Sequence, residues 1–172
     1  MKKERLIITG ILILFVVFNA HAQAAKSKRL SPPAKVTETT NSGITISVAY
    51  SQPAINGRTI GKEIAPYGEV WRTGANEATV FEINKDVKIN GKTLPAGKYG
   101  LYSIPGKDKW TFMFNKVWKQ WGTSYNEKED ALRVDTKPMF SKEFIERMTF
   151  KISKKGEVNL LWGNVKLGFK VE

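Results

Sequence analysis

Segment 70–79 of the sequence gathers the residue types best suited to binding a polar molecule. It reads V-W-R-T-G-A-N-E-A-T, and its candidate ligand contacts are Trp71, Arg72, Asn76 and Glu77. Asparagine and glycine tolerate the positive φ angles of a tight loop, and arginine and glutamate hold polar partners through charge-assisted hydrogen bonds. We predict a ligand-binding loop walled by Trp71. The alternative is that Trp71 is a core residue and that Arg72 and Glu77 pair with each other inside the loop.

A second set of aromatic side chains lies on a predicted loop of about 16 residues, 115–130, which is longer than a compact domain needs without a functional reason. Trp121 and Tyr125 are its candidate ligand contacts, and Trp118 lies beside them. Aromatic rings on loops can stack on sugar rings. The alternative is that Trp121 covers one end of the core while Trp118 lies among neighbouring lysines.

The sequence offers little for catalysis or for metal binding. It contains no Cys, and its only His, His21, lies in a segment expected to be removed. The remaining chain therefore lacks a Ser-His-Asp triad, a Cys nucleophile and the usual ligands of zinc. We predict no catalytic residue, no metal site and no cofactor.

The acidic residues are weaker candidates. The run N-E-K-E-D at 126–130 lacks the spacing of an organised calcium site, so a solvated charged run is the better interpretation. A carboxylate-based hydrolase would combine Glu77 with Glu69 or Glu82. Such an enzyme needs two carboxylates roughly 5 to 9 Å apart.

The N-terminus has the three parts of a secretory signal peptide. Residues 1–5 carry a net positive charge, residues 6–18 are apolar, and small residues follow. We therefore predict cleavage after Ala22 or, as the second choice, after Ala24. The apolar run is too short to cross a bilayer, which needs about 20 residues. We therefore expect a periplasmic or extracellular protein with no stable membrane insertion after cleavage.

The rest of the chain divides into a flexible leader, 23–35, and a single domain, 36–172. The leader contains Pro32-Pro33 and has no hydrophobic periodicity. The domain alternates apolar and polar residues with the two-residue period of half-buried strands, and turn signals recur roughly every 8–12 residues. These patterns predict an all-β fold, an antiparallel β-sandwich or jelly roll of about nine or ten short strands, with a closed barrel as the second possibility.

Local signals sharpen this prediction at individual turns. Asn90-Gly91 predicts a tight hairpin, because both residue types accept the two positive φ angles of a type I′ turn. Gly163-Asn164 predicts a second turn near the C-terminus. We expect at most one short helical turn, at 141–146, with Ser141 as its N-terminal cap.

Positive charge is concentrated in the middle of the chain. The formal net charge is +12, and residues 85–119 contain eight lysines but only two acidic residues. An exported basic surface could meet an anionic component of the cell envelope, whereas no nucleic-acid recognition motif is present. The alternative is that scattered lysines keep the strands soluble and their edges unpaired.

Several motifs together resemble a known family. They are L-S-P-P-A at 30–34, Y-S-Q-P at 50–53, G-R at 57–58, P-Y-G-E-V-W-R-T-G-A-N-E-A-T at 66–79, L-P-A-G-K-Y at 94–99 and Q-W-G at 120–122. With these motifs the chain resembles the bacterial family called domain of unknown function 2911, exported proteins common in the Bacteroidota. The resemblance implies an exported, β-rich fold but no activity and no catalytic residues. Trp118 lies outside the family pattern.

Three functions are compatible with these observations. The favoured one is a binding module of the cell envelope for a glycan or another small polar ligand, formed by loop 70–79 and the loop that carries Trp121 and Tyr125. The second is the carboxylate-based hydrolase. The third is a structural or adhesive protein that uses the basic region 85–119.

Overall fold

The computed structural model describes residues 29–172, and its strands confirm the predicted all-β fold. The strands are β1 (Pro33–Thr39), β2 (Thr45–Ser51), β3 (Thr79–Ile83), β4 (Val87–Ile89), β5 (Lys92–Leu94), β6 (Gly97–Ile104), β7 (Trp110–Asn115), β8 (Asp130–Thr136), β9 (Met139–Ile152) and β10 (Glu157–Lys170), and one 3-10 turn, η1, covers Glu127–Glu129. Within the described range no helix is long and apolar enough to span a membrane.

Two layers of antiparallel strands form a sandwich. The first is a six-stranded sheet in the order β1-β2-β3-β6-β7-β8. The second contains β9 paired with β10 and the hairpin β4-β5. These two pairs join where Lys88 N donates to Glu172 O at 2.8 Å and Glu172 N donates to Lys88 O at 2.9 Å. The predicted sandwich is therefore observed.

The core fills the space between the layers, as the alternation of apolar residues predicts. On β7, Trp110, Phe112 and Phe114 are almost fully buried. Phe169 of β10 meets the rings of Phe112 and Phe114 edge-on, with centroids 5.2 and 5.3 Å apart, and it meets Phe81 of β3 at 5.7 Å. Removing each aromatic side chain from water contributes about 1.5–3 kcal/mol, so these contacts hold the layers together.

Strand β10 folds back on itself at Gly163, whose φ of 55° favours glycine. Val171 N donates to the carbonyl of Gly156 at 2.9 Å. Along a straight strand these two residues would lie about 50 Å apart. The two halves of β10 therefore lie side by side, which confirms the predicted turn at Gly163-Asn164. The predicted Asn90-Gly91 turn is also confirmed, since it joins β4 to β5 with φ values of 47° and 82°.

Segment 141–146 is strand rather than helix, so the helical turn predicted there is wrong. These residues belong to β9, which passes around the bend of β10 and pairs Ile145 with Gly163. Ser141 does accept a hydrogen bond from the backbone N–H of Glu143 at 3.1 Å, but pairing with β10 keeps the chain extended. The one helical turn among residues 29–172 is η1.

The folded domain starts earlier than the sequence indicated. Strand β1 begins at Pro33, so residues 33–35 belong to a strand and not to a leader. Residues 23–28 of the predicted leader, and the whole predicted signal peptide, lie outside the described residues.

Candidate functional site

Trp71 is both a core residue and a wall of the candidate site. Its ring stacks on that of Trp162, with centroids 5.2 Å apart and planes 8° from parallel, and it meets Trp110 edge-on at 6.2 Å. Its indole N–H donates to the carbonyl of Gly74 at 3.1 Å. The side chain remains only partly buried. Trp71 therefore ties the first loop, 70–79, to the core while exposing one part of its ring.

The first loop is fixed by a buried threonine in an unusual conformation. Thr73 has a φ of 47° and is fully buried, and such an angle is uncommon for a β-branched residue. Its hydroxyl donates to Ser103 Oγ at 2.9 Å, and its carbonyl accepts from Thr79 Oγ1 at 2.9 Å. These bonds offset the strain, so the loop has a defined shape before any ligand arrives.

The second loop, 116–126, lies over the outer face of the six-stranded sheet. Asn115, buried at the end of β7, donates to Asn126 O at 2.9 Å and accepts from Val117 N at 3.0 Å. The ring of Tyr125 contacts that of Tyr102 with centroids 4.9 Å apart. Both ends of this long loop are therefore held against the sheet.

The two loops are joined directly by main-chain hydrogen bonds. Ala78 N donates to Gln120 O at 3.1 Å, and Gly122 N donates to Asn76 O at 3.1 Å. The two predicted loops thus form one unit, although they are about 45 residues apart in the sequence.

A pocket of about 360 Å³ opens where the loops meet, a size typical of small-molecule sites. Its lining residues are Val70, Trp71, Arg72, Gly122, Thr123 and Tyr125. The pocket therefore combines two aromatic rings with a guanidinium group and a hydroxyl group, which suits a small polar ligand with an apolar face.

Arg72 has no hydrogen-bond or ion-pair partner among the residues that the structure describes, and its Nε is buried. In the same range the only other buried side-chain N–H groups without partners are the indoles of Trp110 and Trp162, and both rings contact Trp71. Leaving a buried donor unpaired costs about 1–3 kcal/mol. The three buried donors without a partner among the described residues therefore lie at or beside Trp71.

Two carboxylates adjoin the loops, and each binds an arginine other than Arg72. Glu77 accepts two hydrogen bonds from Arg29, at 2.9 and 2.7 Å. Asp130 accepts from Arg133 Nε at 2.7 Å and from the Tyr125 hydroxyl at 2.6 Å. The predicted alternative of an Arg72–Glu77 pair is therefore not what the structure has.

Tyr125 is oriented by the same network. Burial, and then its hydrogen bond to Asp130, raises the pKa of the Tyr125 phenol above its usual value, so the hydroxyl stays protonated at neutral pH and keeps donating. Arg133 Nη2 donates to the same oxygen at 3.0 Å. The phenol is thus a neutral, fixed wall of the pocket and is poorly suited to act as a base.

The structure divides the six predicted contacts into two groups. Trp71, Arg72 and Tyr125 line the pocket. The other three, Asn76, Glu77 and Trp121, do not line it. Asn76 Nδ2 donates to Ser31 O at 3.2 Å, and Glu77 binds Arg29. The backbone of Trp121 forms a bridge with Glu77, while the Trp121 side chain is exposed. These three residues connect the loops and the N-terminal segment.

Trp118 also lies outside the pocket lining, where its ring has the ammonium group of Lys98 5.2 Å from its centroid. The sequence missed Val70, Gly122 and Thr123 as lining residues. Only the Q-W-G motif at 120–122 pointed toward one of them, Gly122.

None of the carboxylates predicted for a hydrolase, Glu69, Glu77 and Glu82, is among the residues that line the pocket. Glu77 and Glu82 are five residues apart along extended chain, which corresponds to about 16 Å and exceeds the spacing of a glycosidase pair. Glu82 instead pairs with Lys98 at 3.5 Å, and Glu69 is exposed on a turn. Within residues 29–172 no group of three potential metal-binding side chains occurs.

The lysines of 85–119 are spread over different parts of the fold. Lys92 and Lys109 both lie near Asp135, whose pKa is lowered first by a hydrogen bond from Thr111 and then by these charges. Lys119 lies on the second loop, between β7 and β8.

Comparison with known proteins identifies a family but no characterised relative. A family model described as "Protein of unknown function (DUF2911)" matches residues 31–171. No curated protein matches the chain. No solved structure matches it either.

Proposed function

We propose that this chain, which belongs to the DUF2911 family of proteins of unknown function, binds a glycan or another small polar ligand in the pocket between its two loops. The observation that carries the proposal is the composition of this pocket: Trp71 and Tyr125 supply ring surfaces, and Arg72 supplies a guanidinium group with no partner among the described residues. Aromatic surfaces with a few directed polar groups are typical of sites for sugar-sized ligands.

The rigidity of the two loops supports the same function. Trp71 is held by Trp162 and by the carbonyl of Gly74, and Tyr125 is held by Asp130 and Arg133. Binding to groups that are already ordered avoids an entropic cost of about 0.5–1.5 kcal/mol for each side chain that would otherwise be immobilised. A preformed site of this kind suits recognition, and none of its lining residues in the described part of the chain is a carboxylate.

The proposed setting is the periplasm or the outside of the cell. Its support is the pattern of residues 1–24, basic, then apolar, then small. Expression of the full chain in a bacterial host, followed by mass spectrometry of the product, checks this. We expect an N-terminus at Gln23 or Ala25, in an extracellular or periplasmic fraction. Recovery of uncleaved chain in the cytoplasm would contradict export.

Calorimetric titration of the processed protein, with ligands chosen from a glycan array, tests the binding function. We expect Arg72→Ala to weaken binding by about 10- to 100-fold, because a hydrogen bond to a charged group contributes about 1.5–3 kcal/mol. The melting temperature should stay within a few degrees, since Arg72 has no hydrogen bond to lose within residues 29–172.

Lys119→Ala is the matched control, because it removes the same charge from an exposed position of the second loop outside the pocket lining. It should leave the affinity unchanged. Binding that survives Arg72→Ala but disappears when lysines such as Lys92 and Lys109 become Glu would overturn the proposal and favour an adhesive basic surface.

A further inference from the structure

Among the described residues, Arg72 is positioned at the pocket by packing and not by a hydrogen bond. The aliphatic stem of Arg72 lies directly over Gly122: a Cβ built on this glycine would stand 2.2 Å from Arg72 Cδ and 2.9 Å from Arg72 Cβ. Only the absence of a side chain at 122 allows this approach. The guanidinium is therefore placed at the pocket without any hydrogen bond from the described residues to direct it.

Two carboxylates adjoin the loops, and both bind groups other than Arg72. Glu77 lies on the same loop as Arg72, but both of its carboxylate oxygens accept hydrogen bonds from Arg29. Asp130 adjoins Tyr125 but is engaged by Arg133, by Tyr125 and by Asn115 Nδ2, the last at 2.8 Å. Each of these acids binds its own arginine, so within residues 29–172 no carboxylate pairs with Arg72 at the pocket.

We propose that the ligand of this pocket carries an oxyanion on a sugar ring, which Arg72 binds while the ring lies against Trp71 and Tyr125. This inference rests on the binding function proposed above and names its ligand class. A guanidinium offers parallel N–H groups that match the two oxygens of a carboxylate or a phosphate. A uronic acid or a sugar phosphate would supply this group, and a neutral sugar would leave the charge unpaired.

Titration of the processed protein with glucuronate, glucose 6-phosphate and glucose tests the ligand class. We expect at least one of the two acidic sugars to bind at least about tenfold tighter than glucose, the preference that a charge-assisted hydrogen bond provides. Its affinity should fall as salt is added. Preference for glucuronate over the phosphate would identify a carboxylate as the source, and the reverse order would identify a phosphate.

The Nε–H signal of Arg72 in a nitrogen-15 spectrum reports the contact independently of affinity. It is assigned by its loss in Arg72→Lys, and it should shift with the acidic sugar and not with glucose. Arg72→Gln should abolish the preference for the acidic sugar, whereas Lys119→Gln should keep it.

The outcomes separate this inference from the binding function. Equal binding of glucose and both acidic sugars, with no shift of the Arg72 signal, overturns the anionic ligand class and leaves a neutral-sugar site standing. If none of the three sugars binds and the glycan array yields no ligand, both proposals are overturned.

Discussion

At the scale of single residues, the site depends on the contact between Arg72 and Gly122. The glycine serves two purposes, because its N–H joins the loops through Asn76 O and its missing side chain makes room for the arginine stem. A Cβ at 122 would also stand 2.7 Å from Asn76 O, a backbone atom that cannot swing away. One position thus couples the joining of the loops to the placement of the cation.

Gly122→Ala should therefore damage both stability and binding. We expect the free energy of unfolding to fall by about 1–3 kcal/mol, the usual cost of forcing extra atoms into a filled space. Urea denaturation followed by circular dichroism measures this loss. Calorimetry should show weaker binding of any ligand that Arg72 contacts, because the added methyl group displaces the aliphatic stem of Arg72 from its position over residue 122.

A double-mutant cycle with Arg72→Ala separates the two clashes. The cost of Gly122→Ala should be smaller in the Arg72→Ala background, since Arg72 Cδ is gone, but it should not vanish, since Asn76 O remains. Additive costs, within about 0.5 kcal/mol, would mean that the arginine stem does not occupy the space above Gly122.

The sequence located the site better than it identified the lining residues. Trp71, Arg72 and Tyr125 could be predicted because their chemistry is visible in their type. Glu77 was placed with them because it shares the loop, but its partner is Arg29, which lies 48 positions away and offers no local signal. Gly122 contributes by lacking a side chain, which no pattern of functional groups reveals.

At the scale of elements, turns with special backbone angles and half-buried strands were predictable. Asn90-Gly91 joins β4 to β5, and β3 and β7 alternate as expected. The start of β1 was assigned to the leader because β1 is an edge strand with a weak pattern: Ala34 and Val36 are only partly buried, and the residues after Pro33 are otherwise polar. Segment 141–146 was misjudged because a local cap at Ser141 is weaker than pairing with β10.

At the scale of the whole molecule, the sandwich makes the pocket possible by fixing two distant loops on one framework. Trp71 reaches the second layer through Trp162, while Tyr125 lies on the outer face of the first layer against Tyr102. The family model covers residues 31–171, so this framework and both loops fall within the shared family region. Neither loop could form the pocket alone.

The most direct measurement is a crystal structure of the processed protein with the sugar that binds most tightly in titration. We expect the sugar ring against Trp71 and Tyr125, with an acidic group within hydrogen-bonding distance of the Arg72 guanidinium. A sugar bound elsewhere on the protein, with the pocket between the loops unchanged, would contradict the proposed site.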